Sequence, residues 1–71
     1  MKYRILRQMH LFLHPMCQVE GCGSQAIEIH HTKGRGINLN NVESFLSVCR
    51  GCHNLIHEHP LWARKHGLLL A

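Results

Sequence analysis

Aromatic side chains are scarce in this 71-residue chain, with Tyr3, Phe12, Phe45 and Trp62 making up the whole set. Acidic residues are few as well, four Asp and Glu against eight Lys and Arg, for a formal net charge of +4. No apolar run approaches the roughly 18 residues needed to cross a bilayer, so a membrane-spanning helix is excluded. The opening residues, from Met1 to Arg7, scatter charges among apolar positions and offer no small-residue cleavage site; a secretory signal is not expected. The chain is then expected to work in the reducing cytoplasm, away from membranes. Its hydrophobic fraction of 45% is ordinary for a globular chain and argues against disorder. A single domain over residues 1–71 sits near the size where an apolar core alone barely suffices. A core this lean needs a cross-link, and four cysteines are available.

Those cysteines fall in two close pairs, Cys17-x4-Cys22 and Cys49-x2-Cys52. In a secreted chain such pairs read as disulfides; in a reducing compartment they read as a metal site. Zinc takes four ligands in a tetrahedron, with Zn–S near about 2.3 Å, and two short pairs supply it. Gly21 and Gly23 let the backbone turn tightly around the first pair. A structural zinc contributes on the order of 10–16 kcal/mol to folding in finger peptides, more than this core can supply alone. The rival set, Cys17 and Cys22 with His53 and His57, leaves Cys49 and Cys52 idle. It also needs a link about twice as long as the roughly 12–15 residues of a Cys2His2 finger.

Along the chain, residues 2–13 carry Ile5, Leu6, Met9, Phe12 and Leu13 at helical spacing among Lys2, Arg4, Arg7 and Gln8. This predicts an amphipathic helix with its apolar face on the zinc module and a basic outer face, ended by Pro15. Residues 26–31 alternate and predict a strand. Residues 32–41, rich in Gly and Asn, predict a long loop, and residues 45–48 a second strand that closes a hairpin. From Cys49 a helix is expected to about Glu58, with Leu55 and Ile56 on its packing side. Pro60 then suits the first turn of a last helix over 61–66, with Gly67 just past its end. Leu68, Leu69 and Leu70 are expected to fold back over the core.

A structural zinc uses the cysteines and leaves His30, His31, His53 and His57 to be explained. His53 and His57 are four residues apart and share a helix face, with Arg50 on the same side. His30 and His31 are neighbours in a strand and point to opposite sides. If His30 joins His53 and His57 on a metal, His31 is left to flank the ion and face a substrate. One histidine as ligand and its neighbour as base is the division that metal-assisted phosphodiester hydrolysis requires. Glu28, two residues before the pair, either hydrogen-bonds a ligand histidine or is merely exposed. His10, His14, His59 and His66 fit no site and read as surface residues.

Taken together, Glu28-x-His30-His31, Gly34-Arg35-Gly36 and Val48-Cys49-x-x-Cys52-His53-x-x-Ile56-His57 resemble the zinc-containing HNH endonucleases of the ββα-metal, or His-Me finger, group. The resemblance covers residues 15–67. It implies a small α+β zinc-stabilised domain, a ββα-metal hairpin-plus-helix with flanking N- and C-terminal helices. It further implies that His31 is the general base and that His30, His53 and His57 hold one divalent cation, Mg2+, Mn2+, Ni2+ or Zn2+. Cys17, Cys22, Cys49 and Cys52 would bind structural zinc. The expected products carry 5′-phosphate and 3′-hydroxyl ends. Lys33, Arg35 and Arg50 are candidates for phosphate contacts. The family's central Asn, which orients the base, corresponds to Ser44 here; Asn40 and Asn41 lie close but out of register. Ser44 is expected to hydrogen-bond the His31 imidazole through its hydroxyl or its carbonyl.

Small free-standing proteins of this kind are common in bacteria and phages, which points to a bacterial cytoplasm as the setting and to phage encoding as an origin. The expected function is a metal-dependent DNA endonuclease, or nickase. The alternative is a non-catalytic zinc module that binds DNA or a protein; it shares the cysteines and the positive charge but gives no reason for four spaced histidines. Nothing in the sequence separates RNA from DNA as substrate, or a monomer from a weak dimer.

Overall fold

A computed structural model describes residues 2–70. Its elements in chain order are α1 (Lys2–Leu13), β1 (Glu28–His31), β2 (Phe45–Val48), α2 (Arg50–Glu58) and α3 (Pro60–Lys65). Two single 3-10 turns, Gly36–Asn38 and Val42–Ser44, lie in the connection between the strands. The strands pair antiparallel, with Glu28 opposite Val48, His30 opposite Leu46 and His31 opposite Phe45. The fold is a small α+β unit with a two-stranded sheet, and none of its helices is long and apolar enough to cross a membrane.

The hairpin is covered on both faces. On one side, Glu28, His30, Leu46 and Val48 look toward α2, where His53 and His57 stand edge-on to His30. On the other, His31 and Phe45 meet Tyr3 and His10 of α1. His30 and His31 are therefore both buried, 3% and 6% exposed, although the pleat sends them opposite ways.

The apolar core lies on the α2 side and joins Cys17, Val19, Val48, Ile56, Ala63 and Leu68, with all three remaining cysteines packed against it. Ile56 is the α2 residue at its centre, fully enclosed, while Leu55 lies at the surface. Leu68 folds back as expected; its N–H donates to the Ala63 carbonyl at 2.8 Å, and the Leu70 N–H donates to the Thr32 carbonyl. Pro60 opens α3, and Gly67, at φ 73°, follows its end in the left-handed region that spares a glycine strain.

Besides Leu55, expected on the packing side of α2 and lying at the surface instead, two expectations are corrected. The first strand is shorter than 26–31: the Ala26 N–H donates to Pro15 and the Ile27 N–H to Val48, so the chain enters the hairpin alongside the Pro15 segment. The second correction concerns α1. Ile5, Met9, Phe12 and Leu13 do not pack on the zinc module; they face solvent. The helix docks instead through Tyr3, Arg7 and His10, because the hairpin face it meets is made of aromatic rings and free carbonyls. Arg7 Nη2 donates to the Ile27 carbonyl at 2.9 Å, and His10 reaches Gln18 Oε1 at 3.1 Å.

With so few enclosed side chains, each carries a large share of the stability. Ile56→Ala is expected to lower the unfolding free energy of the metal-loaded protein by about 2–5 kcal/mol, read from urea melts.

Candidate metal centres

The four sulfurs converge. Cys17, Cys22, Cys49 and Cys52 place one ligand atom each within 4.8 Å of one another, and so can hold a metal ion. Cys22 Sγ and Cys49 Sγ are 3.7 Å apart, too far for a disulfide and close to the separation of about 3.8 Å that tetrahedral Zn–S bonds impose. The turn that presents the first pair is built by Gly21 and Gly23, both at positive φ, and by a Cys22 N–H to Val19 carbonyl bond. The second pair straddles the start of α2, where Cys49 Sγ caps the helix by accepting from the Cys52 N–H. Hydrogen bonds from the Ser24 backbone and side chain lower the Cys22 thiol to about 6, which favours the thiolate a metal binds. Burial raises those of Cys17 and Cys52, the cost that a bound cation would offset.

The second cluster is His30, His53 and His57, again within 4.8 Å of one another. Neighbouring nitrogens on a tetrahedral ion at about 2.1 Å stand about 3.4 Å apart, so the rings need to close by at most about 1.4 Å. Their burial is graded: His30 is enclosed, His53 half-buried and His57 exposed, which leaves the cluster open on one side. That opening belongs to a cavity of about 360 Å³ lined by Tyr3, His30, His31, Arg35, His53 and His57, among others.

Hydrogen bonds decide which nitrogen each ring keeps free. A carbonyl only accepts, so His30 Nε2, 2.8 Å from the Leu68 oxygen, carries a proton and leaves Nδ1 for an ion. Glu28 Oε1 accepts from His53 Nδ1 at 2.9 Å, which leaves Nε2. His31 Nε2 donates to the Leu39 carbonyl at 3.0 Å, so its Nδ1 holds the lone pair. Burial, foremost, lowers the pKa of both His30 and His31, which keeps these rings neutral at neutral pH. The hydrogen bond from His53, and then the Arg50 charge, hold the Glu28 carboxyl below its usual range.

Each residue singled out in the sequence now has a place. His31 lines the same cavity as the cluster without joining it. Arg35 stands at the rim with its guanidinium 5.6 Å over the Tyr3 ring. Arg50 is engaged by Glu28, Nε to Oε2 at 2.9 Å, and Lys33 is exposed outside the cavity lining. Ser44 is not the partner of His31: its hydroxyl donates to the Asn41 carbonyl, and its own carbonyl accepts from the Thr32 N–H and hydroxyl. Ser44 ties the loop to the residue after β1, Thr32, while the Leu39 carbonyl meets the His31 ring at its Nε2 edge. The loop that carries Leu39 is laced by Asn38 and Asn41, Nδ2 of the second donating to Oδ1 of the first.

Sequence reasoning missed Leu39, Leu68 and Tyr3. The first two act through backbone oxygens, which side-chain identity does not signal, and Tyr3 is brought in from a distant helix. No family model matches the chain, and no curated protein or solved structure matches it either. Function has to be argued from the sites themselves.

A carboxylate on the far nitrogen of a ligand histidine orients the ring and raises its basicity. Glu28→Ala should therefore weaken Ni2+ binding at the histidine cluster by about 10–100-fold in calorimetric titrations, with the cysteine site still loaded. An unchanged affinity would leave Glu28 as a partner of Arg50 only.

Proposed function

We propose that this chain is a metal-dependent DNA endonuclease of the ββα-metal, HNH type, hydrolysing single phosphodiester bonds. The observation that carries the reading is the division of the histidine pair. His30 converges with His53 and His57, while His31 opens into the same cavity with a free Nδ1 lone pair. The cysteine cluster, the hairpin followed directly by a helix, and the resemblance of residues 15–67 to that family agree with it. The cysteine site fits Zn2+ in donor type and count, and imidazoles accept Mn2+, Ni2+ or Zn2+ more readily than Mg2+.

The proposed reaction is an in-line displacement. His31 Nδ1 takes a proton from a water molecule as the water oxygen forms its bond to the scissile phosphorus. The P–O3′ bond breaks with its electron pair leaving on the 3′ oxygen, which then acquires a proton from solvent. The ends left are 5′-phosphate and 3′-hydroxyl. A divalent cation held by His30, His53 and His57 would supply Lewis-acid stabilisation of the developing negative charge. Leu39 holds the base in its productive tautomer by accepting from Nε2. Arg35, at the cavity rim, contacts a phosphate oxygen. The positive charge of the chain supports a polyanionic substrate.

In plasmid-nicking assays with Mg2+, Mn2+, Ni2+ or Zn2+, wild type is expected to convert supercoiled DNA to open circles. His31→Ala should lower the rate by about 10²–10⁴-fold while leaving ion binding at the histidine cluster intact. Lack of cleavage with every ion, with DNA binding retained, would favour the non-catalytic module; cleavage of RNA in preference to DNA would redirect the substrate.

The rate should also depend on pH in a defined direction. Because burial lowers the His31 pKa, the base is available above its depressed pKa and is lost only as the pH falls through it. The acid limb of the pH–rate profile should then have its midpoint below about 6.5, the ordinary histidine value.

A further inference from the structure

The metal centres leave one part of the chain unexplained. α1 turns Ile5, Met9, Phe12 and Leu13 to solvent, with Phe12 83% exposed, and Leu6 is half-buried at the edge of that stripe. At 100° per residue these five positions fill one continuous face. The side of the helix that does touch the protein holds Tyr3, Arg7 and His10 instead.

The stripe is of the size that the largest surface patches reach, and such patches often serve an interaction. Four such side chains at these exposures present roughly 450–550 Å², near the top of the 300–600 Å² that the largest patch of a typical monomer covers. Complete mutual coverage would remove at most about 900–1,100 Å², around the threshold of about 1,000 Å² for specific association and fitting a weak dimer.

The pattern also says what fits it. The apolar positions 5, 6, 9, 12 and 13 are symmetric about residue 9. A two-fold axis through Met9 pairs Ile5 with Leu13 and Leu6 with Phe12 of the other copy, and the reverse, as an isologous contact requires. Charge selects the antiparallel sense. Lys2 and Arg4 sit at one end of the helix, and antiparallel pairing sets them against the segment around His14 and Met16, which has no Lys or Arg. Parallel pairing would stack like cations and align the helix dipoles. A lipid surface is the weaker fit, because only Lys2 and Arg4 of α1 extend as free cations toward anionic headgroups, Arg7 being tied to Ile27.

We propose that the Ile5–Leu6–Met9–Phe12–Leu13 face of α1 is a homodimer interface, in which two α1 helices pair antiparallel about a two-fold axis at Met9. The inference rests on surface pattern alone and stands whether or not the chain is a nuclease. Because Tyr3 lies outside the stripe, about 120° around the helix from Met9, the pairing leaves both histidine cavities uncovered by α1 contacts.

Sedimentation equilibrium of the full, zinc-loaded chain tests it, over about 1–300 µM to span the weak end of specific association. A reversible monomer–dimer equilibrium is expected, with Kd on the order of tens of micromolar. Met9→Glu sets two carboxylates against each other at the axis and should raise Kd by at least about tenfold. Ile5→Lys and Leu13→Glu should each weaken the dimer alone, and the double variant should recover it, since each lysine then meets a glutamate across the axis. All of these positions are at the surface, so zinc content and far-UV circular dichroism should stay unchanged and would expose a folding defect separately. A chain that stays monomeric throughout, a dimer indifferent to Met9→Glu, or a double variant no better than the singles would overturn the proposal. So would partitioning onto anionic phosphatidylglycerol vesicles in place of self-association.

Discussion

Adjacent residues in a strand cannot share a side, and in β1 that constraint falls on His30 and His31. Both rings are enclosed, so each face of a two-stranded sheet needs its own cover. The α2 helix and the returning Leu68 segment close one face; α1 and the loop through Leu39 close the other. Enclosing an imidazole is costly unless its N–H finds an acceptor, and here each ring has one, a backbone carbonyl from its own cover. The acceptor that makes burial tolerable also fixes the tautomer. One hydrogen bond per ring thus answers a stability problem and a chemical one together.

The cysteine cluster is coupled to the histidines through the start of α2. Cys49 caps that helix with its sulfur, Cys52 lies in its first turn, and His53 follows directly. The rotation of α2 about its axis, and with it the direction of His53 and His57, is therefore set where the sulfurs meet. On the same helix Ile56, about 60° around the axis from His53, is buried in the core, which also opposes rotation. A structural ion at the cysteines would act on the histidine site by holding this phase, without any contact between the two centres.

Much of this was legible in the residues. Two cysteine pairs of short spacing, a histidine pair in a β-rich run and an i, i+4 histidine pair each have a fixed geometric consequence, and the clusters assembled as those spacings require. Element types followed from periodicity for the same reason. What stayed hidden depended on things that side-chain identity does not encode. The carbonyls of Leu39 and Leu68 are available in any sequence, and only the path of the chain makes them partners. The face of α1 was misjudged because periodicity shows that a helix has an apolar side, not what that side meets; Tyr3, Arg7 and His10 make the polar contacts that won. Ser44 illustrates the same limit. A position compared with a motif letter was expected to touch His31, yet the folded loop spends its hydroxyl on Asn41 and brings a leucine carbonyl to the ring. Since a backbone oxygen positions the His31 ring, the side chain at residue 44 matters for the shape of the loop rather than for contact with the ring.

The electrostatics around Glu28 follow a similar logic. Under the function proposed above, a lone carboxylate near the cavity would repel an anionic substrate, yet His53 needs an acceptor for its Nδ1 proton. Arg50 resolves the conflict by pairing with the second oxygen of the same carboxylate, so that Glu28 serves the imidazole while the pair is close to neutral. A guanidinium used in this way is less free to bind phosphate, which under the proposed function leaves that task to the part of the cavity lined by Arg35. There Arg35 lies over the Tyr3 ring, next to His31 and outside the reach of any acidic partner among the described ion pairs. The charge around the cavity is thereby uneven, with a compensated pair beside His53 and a cation beside His31, the side that the proposed anionic substrate would favour.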